Sequence, residues 1–381
     1  MITAEERTLE LFKRHDIDLI ATLPCDRLKN LLPLIGESFF EVQLSREEDG
    51  VGICAGAYLA GAKPLMLIQS TGLGNLLNAL SSLNFTYELP LPIIASWRGI
   101  YKEGIPAQVY WGTHLKAVLD ALEVKTYEVR VIDDLRLIGD GIRESYKSNL
   151  PAVVLVSPQV WHCSPREAGY EAKYERVPSP VLSYKAPFRY ATMTRYEAIK
   201  AAVPYLQGRT VVSNLGIPSK ELYALCDQMS NFYMLGSMGL ASSIGLGVSL
   251  YSSREVLVLD GDGSLLMNPN VLCSVSQLAG SSLTIIALDN GTYGSTGNQQ
   301  TASQKLDLEL LARGFGIENT CKAYTAEDLQ SALEASVGPK FIHTVIKPGN
   351  ADVPDVSYTV REIKQRFICS LLDSSRSHPR S

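Results

Sequence analysis

The feature that most constrains this chain is an alternation of short apolar, β-rich runs with helical stretches, and it occurs twice. In the first half the runs are "DLIATL", "FEVQLS", "KPLMLIQS", "LPIIASW", "TYEVRV" and "PAVVLVSP". Helical stretches such as "EEDGVGICAGAYLAG" and "DDLRLIGDGIRESYKS" separate them. Strands that are apolar on both sides belong in a parallel sheet covered by helices on two faces. The pattern then breaks. "PREAGYEAKYERVPSPVLSYKAPFRYATM" is rich in Pro, Tyr and charge, has neither period, and reads as an extended linker. Alternation restarts with the helix "TRYEAIKAAVPYLQ" and the runs "TVVSNLG", "NFYMLGS", "EVLVLDGD", "LTIIALDN" and "KFIHTVIKP". Both halves close on a helix, a Pro and an apolar strand. The expected fold is α/β, with two similar doubly wound parallel-sheet domains at residues 1–165 and 193–372. A linker at 166–192 joins them, and a disordered tail at 373–381 follows.

Composition narrows the partners. The 381 residues are 46% hydrophobic and 20% charged with a net charge of −5, and no dense Lys/Arg stripe occurs, which argues against a nucleic-acid partner. No apolar run is long enough to span a bilayer, and the start "MITAEERTLELFKRHD" is charged rather than a secretory signal. Seven cysteines without a C-x-x-C pair fit reduced thiols in a cytoplasm. The adjacent His162 and Cys163 read as loop residues rather than a metal site, since no further ligand stands nearby.

The run "EVLVLDGDGSLLMN" ends its strand on Gly261-Asp262-Gly263. In an open parallel sheet, ligands bind at the carboxyl ends of strands. Gly263 and Ser264 can offer backbone N–H groups there, which suits a phosphate. A carboxylate beside phosphate oxygens is repelled unless a cation bridges them, and hard oxygen ligands suit Mg²⁺. An ordinary Asp-Gly turn has the same residues, so the tetrapeptide alone does not decide. The next strand, "LTIIALDNGTYGSTGNQQ", brings Asp289, Asn290 and Gly291 to the same sheet edge. Asn290 can give a side-chain oxygen and Thr292 a backbone carbonyl to the same cation. The separation, 290 − 262 = 28 positions, accommodates a strand end, a helix and the neighbouring strand.

Gly-Asp-Gly followed at this distance by an Asn-containing strand end resembles the thiamine diphosphate motif, with Asp289-Asn290 where many members have Asn-Asn. The first half carries companion marks. "SREEDGVGICAGAYLAGAKP" resembles the segment of thiamine-dependent decarboxylases and acetolactate synthases in which a Glu precedes a small-residue helix; the matching acid is Glu48. "QSTGLGNLLNAL" resembles the loop that follows there, and "LGSMGLASSIGLG" the turn on which the cofactor's pyrimidine rests. More narrowly, "NLGIPSKELY" and "LDNGTYGSTGNQ" resemble β subunits of the sulfopyruvate decarboxylase family. "LPCDRLKNLLPLI" and "IIASWRG" resemble its α subunits and also phosphonopyruvate decarboxylases. The chain reads as a fused α–β form in which Met193 begins the β-like part.

The resemblance implies thiamine diphosphate and Mg²⁺ as cofactors of a 2-keto acid decarboxylase. The implied reaction takes 3-sulfopyruvate to sulfoacetaldehyde and CO₂ in coenzyme M biosynthesis, with phosphonopyruvate or another 2-keto acid as the alternative substrate. It implies Asp262, Asn290 and Thr292 as metal ligands and Gly261, Gly263, Ser264, Tyr293 and Gly294 around the diphosphate. Glu48 is implied at the pyrimidine nitrogen, with Ser70, Thr71, Gly72, Gly236 and Ser237 also against the cofactor and Met238 as an apolar wedge under it. Asp26 is implied as an acid near the substrate, although Cys25 competes as the exposed member of "TLPCD". Arg98 is the expected sulfonate contact, aided by Asn75 and Lys102, with Arg46 in reserve; a solvated surface charge is the other reading of Arg98. Related phosphonopyruvate enzymes have Glu-Pro-Gln-His after Trp-Arg-Gly, whereas here "KEGIPAQVYWGTH" follows, so a catalytic His role would move to His114. The middle domain of acetolactate synthases is absent, which argues against a flavin. Glu48 and Asp262 belong to different domains, so a homo-oligomer, at least a dimer with the site between subunits, is expected. A dinucleotide-binding oxidoreductase would need G-x-G-x-x-G after a first strand, and "GLGVSL" at Gly245 lacks the third Gly. A non-catalytic relic of the fold would have no use for an intact Glu48, Asp262 and Asn290.

Overall fold

The computed structural model describes residues 2–161, 189–335 and 339–375. His162, Cys163, most of the expected linker and the end of the tail therefore lie outside the described residues. The chain forms two compact units, one of residues 1–58 with 62–175 and one of residues 176–381 with 59–61.

Unit 1 contains β1 (Leu19–Thr22), β2 (Phe40–Gln43), β3 (Pro64–Gln69), β4 (Leu91–Ser96), β5 (Lys125–Val129) and β6 (Pro151–Val156). They form one parallel sheet in the order β2-β1-β3-β4-β6-β5. Its central strands β4 and β6 are buried at every position, as their Val, Ile and Leu content requires of a sheet covered on both faces. Fully burying each such side chain contributes about 1.5–3 kcal/mol. The first helix, Ala4–Arg14, starts on a Thr3–Glu6 capping box and turns a Leu9–Phe12 face inward.

Unit 2 contains β7 (Thr210–Ser213), β8 (Asn231–Tyr233), β9 (Val256–Gly261), β10 (Leu283–Asp289), a short hairpin of β11 (Thr292–Tyr293) and β12 (Gln299–Gln300), then β13 (Asn319–Ala323) and β14 (Lys340–Val345). The main sheet is parallel and ordered β13-β14-β10-β9-β7-β8. Renumbered within its own unit and read from the other edge, this is again 2-1-3-4-6-5. The buried helix Ala241–Tyr251 presses on β9 at Gly245, where a Cβ would stand 2.2 Å from Val258. Only glycine permits that approach.

All eleven apolar runs read from the sequence are strands. The edge strand β13 was not among them. Its "NTCKA" is polar, half-buried and paired on one side only, so neither apolar length nor alternation marks it. Two boundaries shift. Thr192, assigned to the linker, is docked in unit 2 through a hydroxyl bond to the Tyr324 carbonyl at 2.8 Å. The last helix, Val360–Ser375, runs into the expected tail. Among the described residues no helix is long and apolar enough to cross a membrane.

In each sheet, chain order reverses between the first and third strands of its unit. The carboxyl ends of β1 and β3, and of β7 and β9, are the places where such a fold leaves a crevice.

Candidate active site

In unit 2 that crevice is an open cleft of about 580 Å³. Asp262 lies on its wall as the first residue of the short helix Asp262–Met267, directly off β9, and is only 3% exposed. Its carboxylate accepts hydrogen bonds from the hydroxyls of Thr301 and of Ser303, the latter at 3.0 Å. Among the described residues no Lys, Arg or His pairs with it. Burial pushes the Asp262 carboxyl up to about 6, the Thr301 hydrogen bond works against that rise, and the nearby charge of Asp289 adds to it.

Gly261, Gly263, Ser264 and Met238 line the same cleft, as do Asn290, Thr292, Tyr293 and Gly294 from the loop after β10. The sequence-predicted metal and diphosphate residues thus come together. A Cβ on Gly263 would meet the Tyr293 ring at 2.3 Å, so the ring closes over bare backbone there. Asn290 is buried and its side-chain oxygen accepts the Thr292 N–H at 3.1 Å. The turn at Gly236–Gly239 carries Ser237 and Gly239 at positive φ, 59° and 97°, and the Gly239 N–H donates to the Ser264 hydroxyl at 3.1 Å. Met238 is thereby held beside the start of the Asp262 helix. Gly236 and Ser237 shape this turn without lining the cleft.

This donor set fits a cation held beside a diphosphate. It offers a buried carboxylate with no cationic partner among the described residues, an amide oxygen, and Thr292, expected to act through its backbone carbonyl, whose hydroxyl is also buried with no hydrogen-bond partner. Asp289, expected at this sheet edge, lies near Asp262, and Thr301, Ser303 and His343 complete the surroundings without having been singled out from the sequence. They lie in polar stretches or inside a strand, where no spacing marks them.

Unit 1 carries a different constellation. Glu48 stands in the first turn of the helix Glu47–Leu59, its side chain 18% exposed, and accepts from Arg46 Nε at 3.1 Å. Its neighbour Glu47 is buried and accepts from Asn75 Nδ2 at 2.8 Å. A Cβ on Gly72 would fall 2.2 Å from the Glu47 carboxylate, so Gly72 and Asn75 both serve that acid. Ser70 is fully buried. Its hydroxyl accepts the Arg98 N–H at 2.9 Å and its carbonyl accepts from Trp111 Nε1 at 2.8 Å. The Thr71 hydroxyl accepts from Gln69.

Arg98 is neither a solvated charge nor an open anion site. It is 4% exposed, with Nε donating to Glu103 at 2.7 Å and Nη1 donating to Asp26 at 2.6 Å and to Gln69 at 3.1 Å. A guanidinium stays charged when buried, so carboxylate partners are needed to offset the cost of taking it out of water. Glu103 is correspondingly held below the usual carboxylate range by the Arg98 hydrogen bond. Asp26 is the exposed member of its pair, with a side chain 60% accessible, while Cys25 is buried against Gln69 and Ser96. Lys102 is exposed at a positive φ of 66°. His114 is exposed on the helix Pro106–Ala121, where its Nδ1 lies 2.7 Å from the Tyr110 carbonyl and its ring packs on Tyr110. The contacts that Arg98 and His114 make lie within unit 1. One is neutralised within the chain and the other is turned to its own helix.

Two doubly wound sheets with a carboxylate–amide–hydroxyl cleft at one switch point are the construction of a thiamine diphosphate enzyme. A family model described as "Thiamine pyrophosphate enzyme, C-terminal TPP binding domain" matches residues 220–344. The chain belongs to the sulfopyruvate decarboxylase family of thiamine diphosphate-dependent decarboxylases. It is 48% identical over 380 residues to "Sulfopyruvate decarboxylase" of Methanosarcina acetivorans, covering 96% of this chain and 97% of the relative. Its second part is 45% identical over 176 residues to "Sulfopyruvate decarboxylase subunit beta" of Methanothermobacter thermautotrophicus, covering 46% of this chain and 94% of that subunit. It is also 41% identical over 152 residues to "Sulfopyruvate decarboxylase subunit alpha" of Methanocaldococcus jannaschii, covering 39% of this chain and 90% of that subunit. The chain thus joins α-like and β-like parts in one polypeptide.

Proposed function

We propose that this protein decarboxylates 3-sulfopyruvate to sulfoacetaldehyde and CO₂, a step of coenzyme M biosynthesis in the cytoplasm, with thiamine diphosphate and Mg²⁺ bound at the cleft of unit 2. The observation that carries the cofactor reading is Asp262, a buried carboxylate that accepts from two hydroxyls, has no cationic side-chain partner among the described residues and lies near a second acid. Asp262, Asn290 and Thr292 would hold the cation, and the backbone of Gly263 and Ser264 would face the diphosphate. Thiamine diphosphate supplies, when bound, the electron sink that decarboxylation of a 2-keto acid requires. Met238 would support its pyrimidine from the strained turn. Glu48 would hold the pyrimidine nitrogen, which requires unit 1 to present that acid, and the resemblance favours an assembly of at least two chains for this purpose.

The substrate reading rests on the similarity to the Methanosarcina relative along nearly its whole length. A sulfonate tail needs a fixed cation. Two carboxylates already occupy Arg98, so the other expected cations, exposed Lys102 and half-exposed Arg46, which pairs with Glu48, are left for the tail. Energy from a remote, non-reacting group helps orient the reacting centre, so a substrate lacking the tail should lose kcat as well as affinity. Turnover of 3-sulfopyruvate, phosphonopyruvate and pyruvate, with both cofactors supplied, tests this. 3-Sulfopyruvate should be the best substrate by kcat/KM, and equal turnover of pyruvate would defeat the substrate assignment while leaving the cofactor site standing.

A further inference from the structure

Asp289 ends β10 and its carboxylate makes three contacts in different directions. Oδ1 accepts the Gly291 N–H at 3.0 Å and the Ser303 hydroxyl at 2.7 Å, and Oδ2 stands 2.8 Å from His343 Nε2. The first two contacts sit at the two ends of one loop. That loop leaves the sheet at Asn290, carries Thr292, Tyr293 and Gly294 to the cleft, and returns with Thr301 and Ser303 against Asp262. A backbone bond from Thr301 N–H to the Gly291 carbonyl, 3.0 Å, closes the same neck. Asp289 therefore pins both ends of the loop that presents the proposed cation ligands.

The third contact fixes Asp289 itself. His343 lies on β14, which pairs with β10, and is fully buried. Its other nitrogen stands 3.5 Å from Asp307, whose carboxylate also meets Lys322 at 2.8 Å, and Lys322 reaches Glu309 at 2.7 Å. Burial disfavours a charge on His343, but the hydrogen bonds to Asp289 and Asp307 outweigh it and raise its pKa. The contact thus ties the Asp289 carboxylate to the neighbouring strand β14.

We infer that the buried Asp289–His343 pair is the clamp that holds the 290–303 loop in its cation-binding form, with His343 a positioning residue of the site. Neither side chain needs to touch the cation or the cofactor. The inference rests on the cofactor reading for its effect on binding, but the state of the loop can be measured without any ligand.

The test uses the full chain and three variants: His343→Gln, Asp289→Asn, and the two combined. Calorimetry reads binding of Mg²⁺ with thiamine diphosphate, and amide hydrogen exchange reads the cofactor-free loop. His343→Gln removes the ring nitrogen that holds Asp289 Oδ2. It should weaken binding by roughly 10–100-fold, the usual cost of losing support behind a metal site. Exchange should quicken across residues 290–303 and stay unchanged in β9. The double variant restores a neutral amide–amide contact, so it should bind within about 3-fold of the unmodified chain, a strong departure from additivity. Unchanged binding and exchange in His343→Gln, or losses in the double variant equal to the sum of the single ones, overturn the inference. If His343→Gln yields no folded protein, Ser303→Ala relaxes the same carboxylate without removing a buried charge. It must loosen 290–303 and weaken binding, and wild-type behaviour overturns the proposal. A chain that binds neither cofactor even when unmodified would refute the cofactor reading, and the exchange data would still decide the clamp.

Discussion

The two units share one strand order and one crevice position, yet Arg98 in one and Asp262 in the other are treated in opposite ways. At the switch point of unit 1, Arg98 is closed off by Glu103, Asp26 and Gln69, so the cation and its anions satisfy each other inside the chain. At the switch point of unit 2, Asp262 has hydroxyls for partners and a second carboxylate near it, and no cationic side chain pairs with it among the described residues. Breaking a buried pair strands a charge, whereas a charge already left without a counter-ion gains when one arrives. The same frame therefore holds a sealed site and an open one. Removing a charged group should destabilise the first fold and disable the second function.

The largest effect is expected at the open site. Asp262→Ala removes the carboxylate proposed to hold the cation, an interaction worth several kcal/mol, so activity at limiting Mg²⁺ should fall by about 10³-fold. Cofactor should be lost on gel filtration. Full activity without excess Mg²⁺ would remove Asp262 from the site. Close behind comes unit 1's proposed contribution. Glu48→Gln keeps a hydrogen-bonding group but loses the carboxylate, and positioned acid–base groups are worth about 10²–10⁴-fold. Cofactor should stay bound while proton exchange at its thiazolium C2 slows by that order, followed by NMR after acid quench. Unchanged exchange would move the role elsewhere, with Glu47 excluded by its buried bond to Asn75.

How far the sequence reveals this contrast depends on what kind of residue carries it. The eleven apolar runs, the two-domain repeat and the strand-end positions of Asp262 and Asn290 follow from period and spacing, because burial on both faces and strand ends leave periodic marks, and the other cleft residues follow from the resemblance. The polar edge strand β13 leaves none. Charge pairing is equally silent. Nothing in "SWRG" shows that Arg98 folds back onto Glu103 five residues on, and nothing in "IHTV" shows that His343 faces Asp289 across a strand register. The sign of a site, sealed or open, lives in three-dimensional pairing. Residue type alone suggested that Arg98 was open, and the structure closes it.

A smaller effect, on stability, tests the sealed site. Arg98→Met keeps most of the side-chain volume but leaves Glu103, its side chain only 6% exposed, without its cation. Such a loss costs about 3–5 kcal/mol, read as a lowered denaturant midpoint with an unchanged slope. The pH dependence gives the sign. The folded pKa of Glu103 is depressed by Arg98, so the pair's stabilisation is present above the ordinary carboxylate value and is lost as pH falls through the folded value. In the variant this acid-side loss should vanish. Should Arg98→Met leave stability untouched and selectively weaken sulfopyruvate, Arg98 is open after all and the contrast between the units fails.

The smallest effect is the most discriminating, because it reverses the usual direction of a buried substitution. Asp262 has a folded pKa raised to about 6 from 3.8. Below the unfolded value both states hold the proton and nothing is lost. As pH rises from 3.8 through about 6, the unfolded chain ionises more readily than the folded one, so stability falls across that window. A rise of that size corresponds to roughly 2–3 kcal/mol. In cation-free protein, Asp262→Asn should therefore raise the unfolding midpoint at pH 8 by that order and leave it unchanged near pH 3, while abolishing retention of Mg²⁺. Added Mg²⁺ with thiamine diphosphate should stabilise the unmodified chain at pH 8 and do nothing for the variant, since only a state that binds is favoured by mass action. A destabilised Asp262→Asn at pH 8 would mean that the carboxylate is already compensated within unit 2. Both switch points would then be sealed, and the loop after β10 would need another reason for presenting its oxygens to an open cleft.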